Sequence, residues 1–225
     1  MIEDFDNIPT LPAIMGPAKQ VAYIVGDIDA AIQQWHDEHG VGPFLVARNA
    51  APLSNAYYRG NKAQTARVNI AFAYVGDMQL ELIELIGDTP SLYKEALDRE
   101  ITGVHHYAVC VDDFPAAYNW ALDNGYEAVV DAGVDGLARM SYVENRDAGL
   151  ILEVIQWNGL TRPYFEGLEK RVKAADGGQL IHEFELADLT PKGAVFTGLA
   201  KFMLAKLTGR VRQTRRETTS RGAAA

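Results

Sequence analysis

A few ionisable side chains interrupt otherwise apolar stretches of the sequence, and these are the residues that could do chemistry. Glu153 lies within G-L-I-L-E-V-I-Q, Glu81 and Glu84 lie within M-Q-L-E-L-I-E-L-I, and His105 and His106 precede Y-A-V-C-V. Burying an ionised carboxylate without a partner is costly enough to be rare. Carboxylates and imidazoles in such positions are typical of sites that bind a divalent metal ion or transfer protons.

Only one member of each close pair can point into a shared site, because side chains alternate between the two faces of a strand. Glu81 and Glu84 are three residues apart, so they lie on opposite faces of one strand. A shift of one residue in strand register would exchange them, and the choice between them stays open at this point. For the same reason only one of His105 and His106 can face inward.

An internal repeat relates the stretch that begins at Gln20 to the stretch that begins at His106, at an offset of 86 residues. The two stretches read Q-V-A-Y-I-V-G-D-I-D-A-A and H-Y-A-V-C-V-D-D-F-P-A-A. Superposing them places Gln20 and His106 at the same point of an opening strand, and the closing strands then supply Glu81 and Glu153. One amide oxygen, one imidazole nitrogen and two carboxylates suit Zn, Mn, Co, Ni or Fe(II). An amide at the start of a strand is also typical of a surface hydrogen-bonding group, so Gln20 has two interpretations.

Each copy of the repeat predicts a strand that leads into a capped helix. Asp27 and Asp113 follow the opening strands and can accept hydrogen bonds from the first turn of a helix. Gly40 and Gly125 can end these helices. Segments rich in β-forming residues follow each helix and are separated by turns. The pattern therefore predicts an α+β fold built from β-α-β-β-β twice, with a short helical connector near residues 91–100.

These strands resemble those of the vicinal oxygen chelate superfamily, which includes glyoxalase I, methylmalonyl-CoA epimerase, extradiol dioxygenases and bleomycin-resistance proteins. G-V-H-H-Y-A-V-C-V-D-D resembles the family's module-opening strand, with the second histidine as ligand. L-E-L-I-E-L-I-G resembles a module-closing strand, and G-L-I-L-E-V-I-Q resembles the terminal ligand strand. The resemblance implies paired βαβββ modules that form an open curved sheet, a glyoxalase-like cup. It also implies a metal site formed by Gln20, Glu81, His106 and Glu153.

The resemblance to the family ends near residue 157, and the sequence pattern beyond it is helical. Two amphipathic helices are predicted beyond it, at about 163–174 and 191–208. The predicted boundaries are 17–157 for the vicinal oxygen chelate domain (module one 17–90, module two 103–157), 158–216 for a helical C-terminal extension and 217–225 for a disordered tail.

The resemblance implies enolate chemistry supported by one divalent metal ion (Zn, Ni, Co, Mn or Fe), with Glu81 and Glu153 as acid and base. We therefore expect a glyoxalase-like lyase or an epimerase-like isomerase that acts on a small carbonyl or thioester substrate. One alternative is a metal-free binding or resistance protein that uses the same cup. Aromatic residues could line such a cup, although at strand spacing they are more typical of the core or of the sheet surface: Tyr57, Tyr58, Phe72 and Tyr142. Gln20 stands where epimerases and dioxygenases place histidine. This counts against an extradiol dioxygenase, which needs two histidines and one carboxylate on iron.

The distribution of charge along the chain indicates which classes of partner it can bind. The net charge is -9, and residues 201–225 carry seven Lys or Arg and one Glu, which leaves -15 on the rest. Such an acidic body predicts no nucleic-acid binding. The basic amphipathic segment 200–216 could lie on an anionic membrane, although docking against the chain's own acidic body is the simpler interpretation. The family resemblance suggests a homodimer.

Compartment is predicted from three features of the sequence. No apolar run approaches the roughly 18 residues that a membrane span requires. The N-terminus is acidic where a signal peptide would be basic. The single cysteine, Cys110, cannot form an internal disulfide. These features together predict a cytoplasmic protein.

Overall fold

The computed structural model describes residues 11–52, 56–101, 103–134 and 138–186. The predicted helix at 191–208, the basic segment and the predicted disordered tail lie outside these residues. The described part of the chain forms these helices and strands: β1 Ala18–Ile24, α1 Ile28–His39, β2 Phe44–Ala50, β3 Tyr57–Tyr58, β4 Asn61–Lys62, β5 Arg67–Val75, β6 Met78–Ile86, α2 Leu92–Asp98, β7 Val104–Val111, α3 Phe114–Asp123, β8 Glu127–Val134, β9 Ala138–Asn145, β10 Leu150–Gln156, α4 Thr161–Ala174 and β11 Ile181–Glu183.

The strands form one open, mixed sheet in the order β11-β2-β5-β6-β1-β7-β10-β9-β8-β3-β4. At its centre β1 and β7 are antiparallel, while β1 is parallel to β6 and β7 is parallel to β10. The order β2-β5-β6-β1 on one side of the centre corresponds to β8-β9-β10-β7 on the other. The structure therefore confirms the α+β fold with two β-α-β-β-β units.

The helices begin where the sequence predicts, because the predicted caps are formed. The Asp27 carboxylate accepts a hydrogen bond from the backbone N–H of Ala30 at 3.0 Å, and Asp113 accepts one from Ala116 at 3.0 Å. Each bond satisfies a donor that the first helical turn leaves free. Gly40 ends α1 in the left-handed conformation, with φ of 66°. In the described residues, no helix has the length and apolar character that a membrane crossing requires.

Strands at the two edges of the sheet depart from the simple repeat. Strand β3 belongs to the first copy of the repeat by its position in the chain, but it pairs with β8 of the second unit, with Tyr57 opposite Asp131. At the other edge, β11 pairs in parallel with β2, with Ile181 opposite Phe44. Both pairings satisfy backbone groups that an edge strand would otherwise leave exposed.

The two faces of the sheet are covered differently. Helices α1 and α3 pack on one face, where Ile32 contacts the cluster around Phe44 and Ala117 contacts the cluster around Leu152. We call the opposite side the inner face. Its apolar cluster spans both units and also takes in Leu168 of α4. Helix α4 thus packs on the face toward which the predicted site residues point.

Candidate functional site

Four polar side chains lie buried near the centre of the inner face. They are Gln20 (4% exposed), Glu81 (6%), His106 (0%) and Glu153 (5%). Gln20 and His106 come from the opening strands β1 and β7, and the two glutamates come from the closing strands β6 and β10. The structure therefore brings together all four residues that the sequence predicts as ligands.

Strand register explains why the two units present their glutamates in equivalent places. Ala22 of β1 pairs with Glu81 of β6, and Ala108 of β7 pairs with Glu153 of β10. Ala22 also pairs with His106 across the centre of the sheet. Because the opening and closing strands of each unit are neighbours, residues about 45 to 60 positions apart in the chain meet side by side.

The side-chain atoms of this group face one another without ordinary hydrogen bonds. His106 Nε2 lies 3.4 Å from Glu81 Oε2 and 3.5 Å from Glu153 Oε2. His106 Nε2, Glu81 Oε2 and Gln20 Oε1 are buried and have no hydrogen-bond partner in the described part of the chain. Buried polar atoms almost always have a partner, so three such atoms in one place indicate a binding site.

The separations of these atoms fit a divalent metal ion. Two ligands about 2.1 Å from a tetrahedral ion lie about 3.4 Å apart, which matches the separations of 3.4 and 3.5 Å between His106 and the two glutamates. Among the described residues, no group of three or more His, Cys, Asp or Glu side chains is arranged so that it could hold a metal ion. The fit rests instead on these paired separations and on the unpartnered atoms, one of which belongs to an amide.

Neighbouring side chains orient two of the four residues. His106 Nδ1 and His105 Nδ1 share a hydrogen bond of 2.9 Å, which leaves His106 Nε2 directed at the glutamates. Gln20 Nε2 donates to Gln79 Oε1 at 2.6 Å, and Gln79 Nε2 donates to the Tyr74 hydroxyl at 2.7 Å. Contacts of this kind commonly fix the orientation of metal ligands. Here they leave one imidazole nitrogen and one amide oxygen available.

Burial and charge shift the pKa values within the site. Burial raises the pKa of the Glu81 carboxyl, and the charge of Glu153 adds to this effect although His106 opposes it. Burial alone would lower the pKa of His106, but the attraction of the nearby Glu153 and Glu81 carboxylates outweighs it and raises the pKa. Burial, with the charge of His106, lowers the pKa of His105 to about 3. Two carboxylates thus hold a proton on His106, and a divalent cation would take that proton's place.

Three tyrosines from different elements pack in or against the inner-face cluster. The ring of Tyr142 lies edge-on to His106, with centroids 5.1 Å apart. Burial raises the phenol pKa of Tyr93, Tyr142 and Tyr164, and the charges of the two site glutamates contribute in each case. The three hydroxyls therefore stay neutral and can donate hydrogen bonds. Sequence reasoning missed Tyr93 and Tyr164, because each lies in an ordinary amphipathic helix.

The structure also decides which of Glu81 and Glu84 faces the site. Glu81 faces the site, whereas Glu84 is partly exposed and accepts a hydrogen bond from Asn69 Nδ2 at 2.7 Å. Both histidines are buried, and it is His106 that lies against the two glutamates. The metal-binding and catalytic roles of these residues stay predictions.

The model of the glyoxalase/bleomycin resistance protein/dioxygenase superfamily matches residues 19–143. A search of curated proteins gave no match.

Similar solved structures include methylmalonyl-CoA epimerase from Mycobacterium tuberculosis, with 19% identity and a TM-score of 0.45 over 67% of this chain and 93% of that chain. A hypothetical protein from Bacillus halodurans has 17% identity and a TM-score of 0.44, over 63% and 94%. A variant of Streptomyces coelicolor methylmalonyl-CoA epimerase in complex with 2-nitronate-propionyl-CoA has 16% identity and a TM-score of 0.43, over 64% and 96%.

Proposed function

Because the chain belongs to the glyoxalase/bleomycin resistance protein/dioxygenase superfamily, we propose that it is a divalent-metal-dependent enzyme that moves a proton at a carbon next to a carbonyl group. The supporting observation is the group of four buried polar side chains, in which three atoms have no hydrogen-bond partner. The substrate is a small carbonyl or thioester compound, and the reaction is an epimerisation, an isomerisation or a glyoxalase-like lyase step. The proposal includes a homodimer, which light scattering in solution tests.

Gln20, Glu81, His106 and Glu153 would hold the metal ion. When bound, a divalent ion supplies Lewis-acid stabilisation of the negative charge that develops on substrate oxygen as the proton leaves. The donor set suits this role because it contains oxygen and nitrogen atoms and no thiolate, which is typical of catalytic rather than structural sites.

The two glutamates would carry the proton. They come from different units of the fold, and their Oε2 atoms lie 3.4 and 3.5 Å from His106 Nε2. A buried carboxylate next to the substrate can accept a proton and return it. One glutamate can therefore remove a proton from the substrate while the other returns one.

The surrounding residues orient the substrate and exclude water. The neutral hydroxyls of Tyr93 and Tyr142 can donate hydrogen bonds to substrate oxygen. Both tyrosines are buried, so the charge developed during the reaction is stabilised in a medium of low polarity, where such interactions are stronger than in water.

Metal content tests the proposal. We expect about one equivalent of divalent metal in the wild type, and a loss of at least about tenfold in metal affinity in Glu153→Gln. Glu84→Gln is the matched control, because it makes the same chemical change on a side chain that does not face the site, and it should retain the metal. Absence of metal from the wild type would contradict the proposal. If that protein still bound small apolar ligands, the result would favour the metal-free binding protein.

Exchange of substrate protons with solvent deuterium tests the chemistry separately from metal binding. Short-chain carbonyl compounds and thioesters are incubated with metal-loaded protein in deuterated water, and exchange next to the carbonyl is followed by NMR. We expect exchange with the wild type and with Glu84→Gln, and a loss of about 100-fold or more with Glu153→Gln. Metal-loaded wild type that exchanges no proton in any compound would contradict the proposed reaction.

A further inference from the structure

A shift in the pairing of β7 places His105 beside His106. Along β1, Tyr23 pairs with Val104 while the residue before it pairs with His106, so His105 is an extra residue that the ladder skips. An extra residue of this kind re-aims a side chain that strict alternation would point to the other face. The ring of His105 lies 6.2 Å, centroid to centroid, from that of Tyr93 in the inner-face cluster. Two neighbouring histidines therefore share one side of the strand.

The two imidazoles meet through like nitrogen atoms. His106 Nδ1 and His105 Nδ1 lie 2.9 Å apart, and the rings are edge-on, with centroids 5.1 Å apart. His105 is 5% exposed and His106 is fully buried, so solvent does not compete for this contact. A hydrogen bond between two ring nitrogens needs one N–H and one lone pair, so one ring donates and the other accepts. The direction of this bond decides what His106 Nε2 can do.

The carboxylates near His106 Nε2 favour donation by His106. Their Oε2 atoms, from Glu81 and Glu153, lie 3.4 and 3.5 Å from this nitrogen. If His105 donated, a neutral His106 would accept at Nδ1 and carry its one proton on Nε2, which would leave no lone pair there for a metal ion. If His106 donates from Nδ1, its Nε2 can either hold a proton toward the carboxylates or offer its lone pair to a metal ion. Only the second direction serves both states of the site.

A His105 ring that accepts at Nδ1 carries its own proton on Nε2. This nitrogen is buried and has no direct hydrogen-bond partner in the described part of the chain. His105 also lines a cavity of about 10 Å³ whose wall includes Glu95 and Glu144. A cavity of this size has room for about one water molecule, and a bridging water satisfies an N–H nearly as well as a direct acceptor. Burial of His105 is therefore compatible with a proton on Nε2.

We propose that His105 is a positioning residue for metal binding, because its Nδ1 accepts a hydrogen bond from His106 and so leaves the Nε2 lone pair of His106 to a divalent ion. This inference rests on the proposed function and deepens it by giving a role to a residue outside the four proposed ligands. No proton transfer is assigned to His105.

Nitrogen NMR of the histidine rings tests the direction of the bond in the metal-free wild type, labelled with ¹⁵N. The chemical shift of a ring nitrogen distinguishes an atom that carries a proton from one that does not. We expect His105 to carry its proton on Nε2 and not on Nδ1, and His106 to carry a proton on Nδ1. The spectrum of His105→Phe identifies the His105 signals by their absence. A proton on Nδ1 of His105 in the wild type would overturn the proposal.

Two substitutions of His105 separate loss of the acceptor from loss of packing. His105→Phe keeps a ring and removes both nitrogens, whereas His105→Asn keeps an acceptor near the position of Nδ1. We expect His105→Phe to weaken zinc affinity, measured by competition with a chromophoric chelator, by about tenfold or more, and His105→Asn to weaken it by less than about threefold. His36→Phe is the matched control, because it makes the same change in α1, on the other face of the sheet, and should leave zinc affinity within about threefold of the wild type.

The outcomes distinguish this inference from the proposed function. Wild-type and His105→Phe proteins that bind zinc equally tightly, or His105→Asn that loses as much affinity as His105→Phe, would overturn the role of His105 and leave the proposed function intact. A wild type that binds no zinc or other divalent metal would overturn the proposed function, and this inference would fall with it. Thermal unfolding checks that each variant is folded, and the wild-type spectrum decides the direction of the bond if His105→Phe does not fold.

Discussion

Replacing Glu81 by glutamine should stabilise the metal-free protein and weaken its stabilisation by metal. The Glu81 carboxylate is 6% exposed, and its Oε2 has no hydrogen-bond partner within the described residues. It shares one imidazole with a second buried carboxylate, that of Glu153. Without metal, the site must therefore carry excess negative charge or take up a proton, and the raised pKa of Glu81 reflects this cost. Glutamine has nearly the same shape and removes one of these charges.

The expected size of the effect follows from the cost of a buried charged group that lacks a partner, which is about 1–3 kcal/mol or more. Because glutamine also leaves polar atoms imperfectly paired, we expect a net gain of about 1–2 kcal/mol. In a chain of this length each kcal/mol shifts Tm by about 2–4 °C, so the metal-free variant should melt about 2–8 °C above the wild type.

Added metal should reverse this order. A ligand at 100 times its Kd stabilises a protein by about 2.7 kcal/mol, and the wild type should gain this amount while Glu81→Gln, with a weakened site, gains less. Differential scanning calorimetry after chelation and after addition of zinc or cobalt measures both states. Glu84→Gln is the matched control, with changes within about 0.5 kcal/mol and no reversal. A metal-free Glu81→Gln protein less stable than the wild type, or an equal gain with metal in both, would refute the reasoning.

Three further predictions concern stability. Hydrogen bonding to Arg59 lowers the pKa of Glu95 to about 2 against the opposing effect of burial, so the folded state holds this proton less tightly than the unfolded state. The stabilisation of about 1 kcal/mol is then present above pH about 4.5 and lost as the pH falls through about 2. The free energies of urea unfolding of Glu95→Gln and the wild type should therefore differ at pH 6 and converge at pH 2. A difference that stays constant with pH would contradict this. Leu168→Ala should cost about 2–5 kcal/mol because Leu168 is fully buried under the sheet, whereas Leu97→Ala, at a position 40% exposed, should cost less than about 1 kcal/mol in the same assay. Asp113→Ala should lose about 1 kcal/mol by removing the cap of α3, and Asp113→Asn, measured beside it by thermal unfolding, should retain most of that stability.

Most of the fold could be predicted from the sequence because its signals are local or repeated. The Asp27 and Asp113 caps depend on residues within a few positions of them, and both form. The repeat at an offset of 86 residues matches Gln20 with His106, and the structure places both near the centre of the sheet. The repeat could not predict the edge pairing of β3 with β8, because a strand of two residues is too short to show a pattern that predicts its partner.

The candidate site could likewise be predicted from the sequence only in part. Alternation along β6 put Glu81 and Glu84 on opposite faces from sequence alone, but which face became the inner one depended on how α1 packed against the sheet. The bond between His105 and His106 and the chain of amides from Gln20 to Tyr74 were also beyond the sequence. Hydrogen-bond geometry depends on side-chain rotamers, which local sequence does not specify.

The amino-acid sequence by itself determined the elements, their caps, the duplication and the four polar positions that two like units must bring together. Only the tertiary structure decided that α4 packs on the inner face of the sheet and that β11 pairs with β2 at the sheet edge. The physical reason is that periodicity and capping act over a few residues, whereas helix docking depends on the shape of a surface assembled from distant parts of the chain.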